Sequence, residues 1–249
     1  MKRLERKHLK ENELAETLAN VQQYLEPRKN MLVRIGAVLV VALLLVVAIS
    51  VWRERNESRG QQALAEALVA LNAPVVPAGV EGAEGVPAAA SIGATGTFAT
   101  EEAKLNAALP KLKAAADEYP SSSAGIQARY HMAGALAALG RHAEAIAAFD
   151  EVAKRAGNDS LYGQMSRLGK ADALARTGQL DAAIASWKEM ASQDSDEVPA
   201  DAILMDLARA YIQKGNKDEA KKAFTEIVDK HPDSPYSAEA RAELENLKG

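Results

Sequence analysis

Hydrophobic positions change their pattern twice along this chain. From Ile35 to Trp52 it reads IGAVLVVALLLVVAISVW, 18 residues without a charge. At about 1.5 Å per residue such a run covers about 27 Å, close to the roughly 30 Å of hydrocarbon in a bilayer. It has no polar face, so it predicts a membrane-spanning helix over 31–52, with Arg34 snorkelling outward. Val51-Trp52-Arg53-Glu54 offers no small-residue cleavage site, and the leading segment is long for a signal peptide, so the span reads as an uncleaved anchor. Upstream, Leu14, Leu18, Val21 and Leu25 step by three and four up to Pro27 and predict a short amphipathic helix. That stripe suits either a partner helix or the lipid headgroups.

Beyond the span the apolar residues return to helical spacing. Gln61 to Leu71 (QQALAEALVAL) predicts one helix, with its continuity into the membrane helix left open. Residues 72–99 are rich in Pro, Gly and Ala, hold no Lys or Arg, and read as a flexible insertion, more in the manner of an inert linker than a binding segment. Thr100 is placed as N-cap of the next helix, which runs to Tyr119 with Glu101 and Glu102 in its first turn. Pro110 either kinks that helix or marks its true start.

Internal repeats then organise the chain. Ala145-Ile146-Ala147-Ala148-Phe149 aligns with Ala183-Ile184-Ala185-Ser186-Trp187 and with Ala220-Lys221-Lys222-Ala223-Phe224. Five residues before each leading alanine stands Gly140, Gly178 or Gly215; seven after it stands Val152, Met190 or Ile227. The alanines lie 38 and 37 residues apart, and one more step back falls on Ala108, followed by Leu112, Ala115 and Pro120. A period in this range indicates stacked helix pairs, since one pair alone cannot bury both of its faces. Phe149, Trp187 and Phe224 are expected to fill the space between pairs, and Ala133, Ala171 and Ala208 to let paired helices approach.

These residues resemble the tetratricopeptide repeat (TPR). The fullest match is Asp201 to Ser234, through Leu204, Leu207, Ala208, Tyr211, Gly215, Ala220, Phe224, Ile227 and Pro232. Ile126–Asp159 matches with Gly157 in place of the closing proline, and Gln164–Glu197 with Lys170 in place of a leucine. A polar helix from Ser234-Pro235 to Leu247 would cap the stack. The fold expected is all-α: one transmembrane helix, then a TPR-like solenoid with a C-terminal capping helix. Its parts are a juxtamembrane segment over 1–30, the membrane helix over 31–52, the first solenoid helix over 53–71, the insertion over 72–99 and the solenoid over 100–249.

The order of parts resembles the bacterial ancillary Sec translocon subunit family; the overlap with the Tol-Pal-associated cell-division coordinator covers the repeats alone. The first resemblance implies an inner-membrane protein whose periplasmic repeats meet translocon components, periplasmic chaperones or client polypeptides. The runner-up is a scaffold for envelope assembly or division, and a third reading is a homo-oligomeric structural protein. Eight Lys and Arg residues precede the charge-free run, from Lys2 to Arg34, and only Arg53, Arg55 and Arg59 follow before Lys104. That asymmetry puts the N-terminus in the cytoplasm and the solenoid in the periplasm.

The first helices of TPR pairs line the concave face, which makes the repeat frame a guide to partner-binding residues. Tyr130, Leu168 and Met205 occupy equivalent positions, with Gly134, Asp172 and Arg209 one turn on and Arg176 and Gln213 near the inner end. An apolar row with isolated charges suits a hydrophobic or mixed polypeptide segment. Leu168 and Met205 also read as packing residues. The basic pattern that captures C-terminal carboxylates is missing.

Composition narrows the chemistry. The 249 residues are 48% hydrophobic but only 4% aromatic, the Ala/Leu/Val mix of helices. A net charge of -4 argues against a globally basic nucleic-acid binder. With no cysteine there is no disulfide or thiolate site, and the four histidines are scattered, so no metal or cofactor is expected. No P-loop, G-x-S-x-G or dinucleotide fingerprint occurs, and the chain is not read as an enzyme.

Overall fold

The computed structural model describes residues 29–76, 96–193 and 198–248. The stripe from Leu14 to Leu25 and most of the 72–99 insertion lie outside them. The described residues form nine helices: α1 (Lys29–Leu71), α2 (Glu101–Glu118), α3 (Ser123–Ala138), α4 (His142–Ala156), α5 (Leu161–Arg176), α6 (Leu180–Ala191), α7 (Ala200–Gln213), α8 (Lys217–Lys230) and α9 (Ser237–Asn246). They contain no strand, only an isolated parallel bridge between Val75 and Phe98 at the two ends of the insertion. The fold is all-α, with a long apolar helix followed by TPR-like helical repeats. The chain divides into two units, Met1–Arg55 and Asn56–Gly249.

Within the first unit, α1 exposes its whole apolar run; Leu44 and Leu45, for example, are 62% and 57% exposed. An 18-residue window in this helix reaches a mean hydropathy of 2.9 with nothing buried, long and apolar enough to cross a membrane. Ser50 donates its hydroxyl to the Val46 carbonyl at 2.9 Å, so the run's one serine needs no water.

In the second unit α1 continues to Leu71, joining the apolar run and the 61–71 helix without a break. There Leu64 packs with Ala115, Ala116, Ala124 and Ala128, and Ala67 and Ala70 with Ala108 and Leu112. α2 begins where its signals predict, with Thr100 Oγ1 accepting from the Ala103 N–H at 3.1 Å. Pro110 lies inside α2 and not at its start. From α2 onward each helix packs on the next, and α3 also touches α5, as expected of stacked pairs α3–α4, α5–α6 and α7–α8.

The turns inside the pairs repeat one device. Gly140, Gly178 and Gly215 have φ of 74°, 78° and 75°, a left-handed conformation that costs glycine nothing. Each lets the next N–H reach back across the helix end: Arg141 to the Leu136 carbonyl, Gln179 to Leu174, Asn216 to Tyr211, at 2.8–2.9 Å. The aromatic residues of the frame, Phe149, Trp187 and Phe224, are 4%, 3% and 1% exposed. Phe149 lies so close to α5 that a Cβ on Gly169 would stand 2.6 Å from its ring. Lys170, in place of the expected leucine, reaches Asp150 of α4 at 2.5 Å, so an ion pair occupies that junction. The capping helix runs from Ser237 to Asn246, and Ser234-Pro235 form the turn that leads into it, with Ser234 Oγ accepting from the Tyr236 N–H.

Candidate functional site: a groove between α5 and α7

The predicted partner-binding residues divide into three groups. Tyr130 is half-buried in an aromatic cluster, with its ring 5.4 Å from Tyr162, 5.6 Å from His131 and 6.0 Å from Phe149. Burial raises the Tyr130 phenol above its ordinary range and lowers the His131 imidazole. Gly134 is exposed, with open space over its Cα. Leu168 packs half-buried against the C-terminal core, and Met205 is fully buried within it. Met205 is therefore removed from the accessible apolar row: its unbranched side chain fills space between neighbouring helices and offers nothing to a partner.

The remaining four residues come together. Asp172 and Arg176 of α5 and Arg209 and Gln213 of α7 line one groove of about 260 Å³. Trp187 of α6 and Asp206 of α7 line it too. Their helix positions explain the convergence: Asp172 and Arg176 are one turn apart on α5, as are Arg209 and Gln213 on α7.

The electrostatics of the groove are unbalanced. Asp172 has no hydrogen bond or ion pair of ordinary geometry among the described residues. Burial pushes its carboxyl up to about 6 and the charge of Asp206 adds to this, while Arg176 and the nearby indole of Trp187 oppose it. Burial likewise raises Asp206, with Arg209 opposing. Arg209 stands 3.8 Å from Asp206 but donates to Glu239 of α9 at 2.7 Å, so its main commitment lies elsewhere. The Trp187 Nε1–H is buried, close to Asp172, and makes no hydrogen bond of ordinary geometry.

Two larger grooves differ in this respect. One, of about 600 Å³, is lined from α2, α3 and α4, and its acids are paired: Asp117 with Lys113 and Arg129, Glu144 with Arg141, Glu151 with Arg155. The other, of about 560 Å³, spans α6, α7 and α8, with Glu219 paired to Lys222 and Glu226 to Lys230. Half-buried carboxylates without a close basic partner distinguish the smaller groove, although the 600 Å³ groove also holds a buried Arg129 Nε without a hydrogen bond. The repeat frame missed Asp206, whose equivalent on α5 is Gly169, and read Trp187 only as a filler. The signal available in sequence was an indole N–H at a core position, which needs a partner when buried. No group of three Asp, Glu or His side chains among the described residues could hold a metal ion.

The comparisons agree with this architecture. One tetratricopeptide-repeat family model matches residues 101–160 and another matches residues 174–244. Residues 101–160 and 174–244 are therefore tetratricopeptide repeats, modules that generally serve as protein–protein interaction scaffolds, and no enzymatic family is indicated. Among solved structures, a tetratricopeptide repeat protein from Parabacteroides merdae is similar at 17% identity and a TM-score of 0.50, over 60% of this chain and 56% of that one. The nearly identical TPR-like repeats of a kinesin light chain from Podosopora anserina are similar at 19% identity and a TM-score of 0.49, over 58% of this chain and 77% of that one. No curated protein matches.

Proposed function

We propose that this protein is a membrane-anchored TPR scaffold that binds proteins at the periplasmic face of a bacterial inner membrane and assists protein export or folding at the Sec translocon. The observation that carries the reading is that one helix, α1, holds both the 18-residue charge-free run and the residues from Leu64 to Ala70 that pack against the first repeat. The basic residues before the span favour a cytoplasmic N-terminus. The order of anchor, interrupted first pair and repeats supports the translocon assignment.

Two measurements test it. In sealed inner-membrane vesicles of known sidedness, residues 60–249 are expected to be protected from protease exactly where periplasmic markers are, and the protein to resist carbonate extraction. In a mild-detergent pulldown, translocon subunits are expected to be retained. Recovery of envelope-assembly or division proteins alone would reject the export role, and release by carbonate would reject the anchor.

A further inference from the structure

The half of α1 that docks on the repeats spends only one of its faces there. Gly60, Leu64 and Ala67 are buried on that side, and Glu57 bonds to the start of α3 from it. At 100° per residue the opposite face carries Arg55, Ser58, Gln62, Ala65 and Val69, spaced three and four apart, and all five are exposed. Val69, at 72%, is the most exposed large apolar side chain among the described residues, more so than any in the apolar run. At the other end of the stack α9 turns a polar side outward, with Glu239, Arg241 and Glu245 exposed. The first helix has an exposed valine where the last has charges.

Charge beside this line selects its occupant. Steps of three and four make the seam of a coiled coil, and the same steps continue upstream through Val51, Ala48, Leu44, Val41 and Ala37. α1 is one helix over that whole length. In a parallel pair of identical helices, the residue that precedes a seam position faces the residue five places further along the other helix. Glu54 then meets Arg59, Gln61 meets Glu66, and Val47 meets Trp52 inside the apolar run. Each match is complementary. Glu54 and Arg59 are both exposed, and neither forms an ion pair among the described residues. Arg55 on the seam lies beside Glu54 of the facing helix, which offsets the meeting of two cations. The two Gln62 amides can donate to and accept from each other, which holds one register.

We propose that α1 pairs with α1 of a second copy of this chain, parallel and in register along the line from Ala37 to Val69, with Glu54 of each copy meeting Arg59 of the other. The inference rests on the reading of α1 as a membrane anchor, since two chains that cross one bilayer in the same sense are already parallel. The contact is isologous, so one surface serves both copies. Ala37, Ala48, Ser58 and Ala65 let the two backbones approach, and Val69 is covered by its own counterpart. Two tethered copies offer two sets of repeats to one partner, which tightens binding without any new contact in the repeats.

The chain has no cysteine, so single introduced cysteines report the pairing directly. The full chain carrying Ala65→Cys, Val69→Cys or, as an exposed control on α6, Ala185→Cys is oxidised in inner-membrane vesicles. The first two are expected to give a disulfide-linked dimer and the control none. In non-ionic detergent the unaltered chain is expected to sediment as a dimer. Glu54→Arg or Arg59→Glu alone should weaken that dimer about fivefold, and the two together should restore it, with the helical circular dichroism unchanged. A monomer in detergent with no disulfide at either site would overturn the pair, and carbonate resistance of the same vesicles would leave the anchor standing. Release by carbonate would overturn both. Charge reversals that fail to compensate would overturn the parallel register. Linkage of Val69→Cys to a different protein alone would give this face to another partner and overturn the pair.

Discussion

The carboxylate of Glu57 caps a helix that starts 66 residues further along the chain. Its Oε2 accepts from the Ser123 N–H at 2.8 Å and its Oε1 from the Ala124 N–H at 3.2 Å, while Ser122 Oγ takes the Gly125 N–H at 2.9 Å. Three of the four free N–H groups at the start of α3 are thereby satisfied, two of them by α1. Gly60 makes the approach possible, since a Cβ there would stand 2.9 Å from Ser122 Oγ and 3.2 Å from the Ala124 side chain. Glu57→Ala should destabilise the second unit by about 1–2 kcal/mol, checked by chemical denaturation followed by circular dichroism. Gly60→Ala should also destabilise it, and an unchanged midpoint for both variants would remove this contact from the account.

Asp172 should make stability depend on pH. Its carboxyl is raised to about 6 in the folded protein, against an ordinary value of 3.8. Below about 4 it is protonated whether folded or unfolded and costs nothing. As pH rises through about 6 the folded state must ionise it at a loss, so its cost is complete above that. Asp172→Asn is expected to stabilise the protein at pH 7.5 by about 1–3 kcal/mol and to have almost no effect at pH 3.5. Melting curves of both proteins across this range measure the difference.

Gly169 and Phe149 should behave as a coupled pair. A methyl group on Gly169 would sit 2.6 Å from the end of the Phe149 ring, too close without a shift of α4 against α5. Gly169→Ala should cost about 1–3 kcal/mol despite the better helix propensity of alanine. In a Phe149→Leu background the added cost should shrink, giving a non-zero coupling energy in a double-mutant cycle. Additive effects would mean that the close packing is not what requires the glycine.

Pro110 gives α2 a position without an N–H, leaving the Asn106 carbonyl unsupported inside the helix. Pro110→Ala should raise the denaturation midpoint, by up to about 3 kcal/mol in stability. A lowered midpoint would show that the ring's packing in the groove lined from α2, α3 and α4 outweighs the missing hydrogen bond.

The repeats were legible because their determinants are local. Gly140, Gly178 and Gly215 announce turns that need a left-handed residue, and the Ala-x-x-x-aromatic frame announces a helix that must pack on another. Ser122 and Ser160, each followed three residues later by a glycine, carried a further repeated signal that the frame overlooked. Both serines cap their helices, and Gly125 and Gly163 lie so near the preceding turn that a Cβ would meet a carbonyl oxygen at 1.8 and 1.9 Å. Met205 read both as a groove residue and as a packing residue, and its full burial agrees with the second, because the repeat frame gives a residue's position on its helix but not what the next pair lays over it.

The sequence by itself determined the helices, their caps and turns, the apolar run and the period of the stack, since each depends on residues within a turn or two of one another. Only the tertiary structure decided that Glu57 caps α3, that Met205 is enclosed, and that Asp172, Trp187 and Asp206 from three helices face one groove. Those relationships depend on how far each helix is rotated and shifted against its neighbours. That is fixed by the sum of many side-chain contacts, Phe149 against Gly169 among them, and no single stretch of chain encodes it.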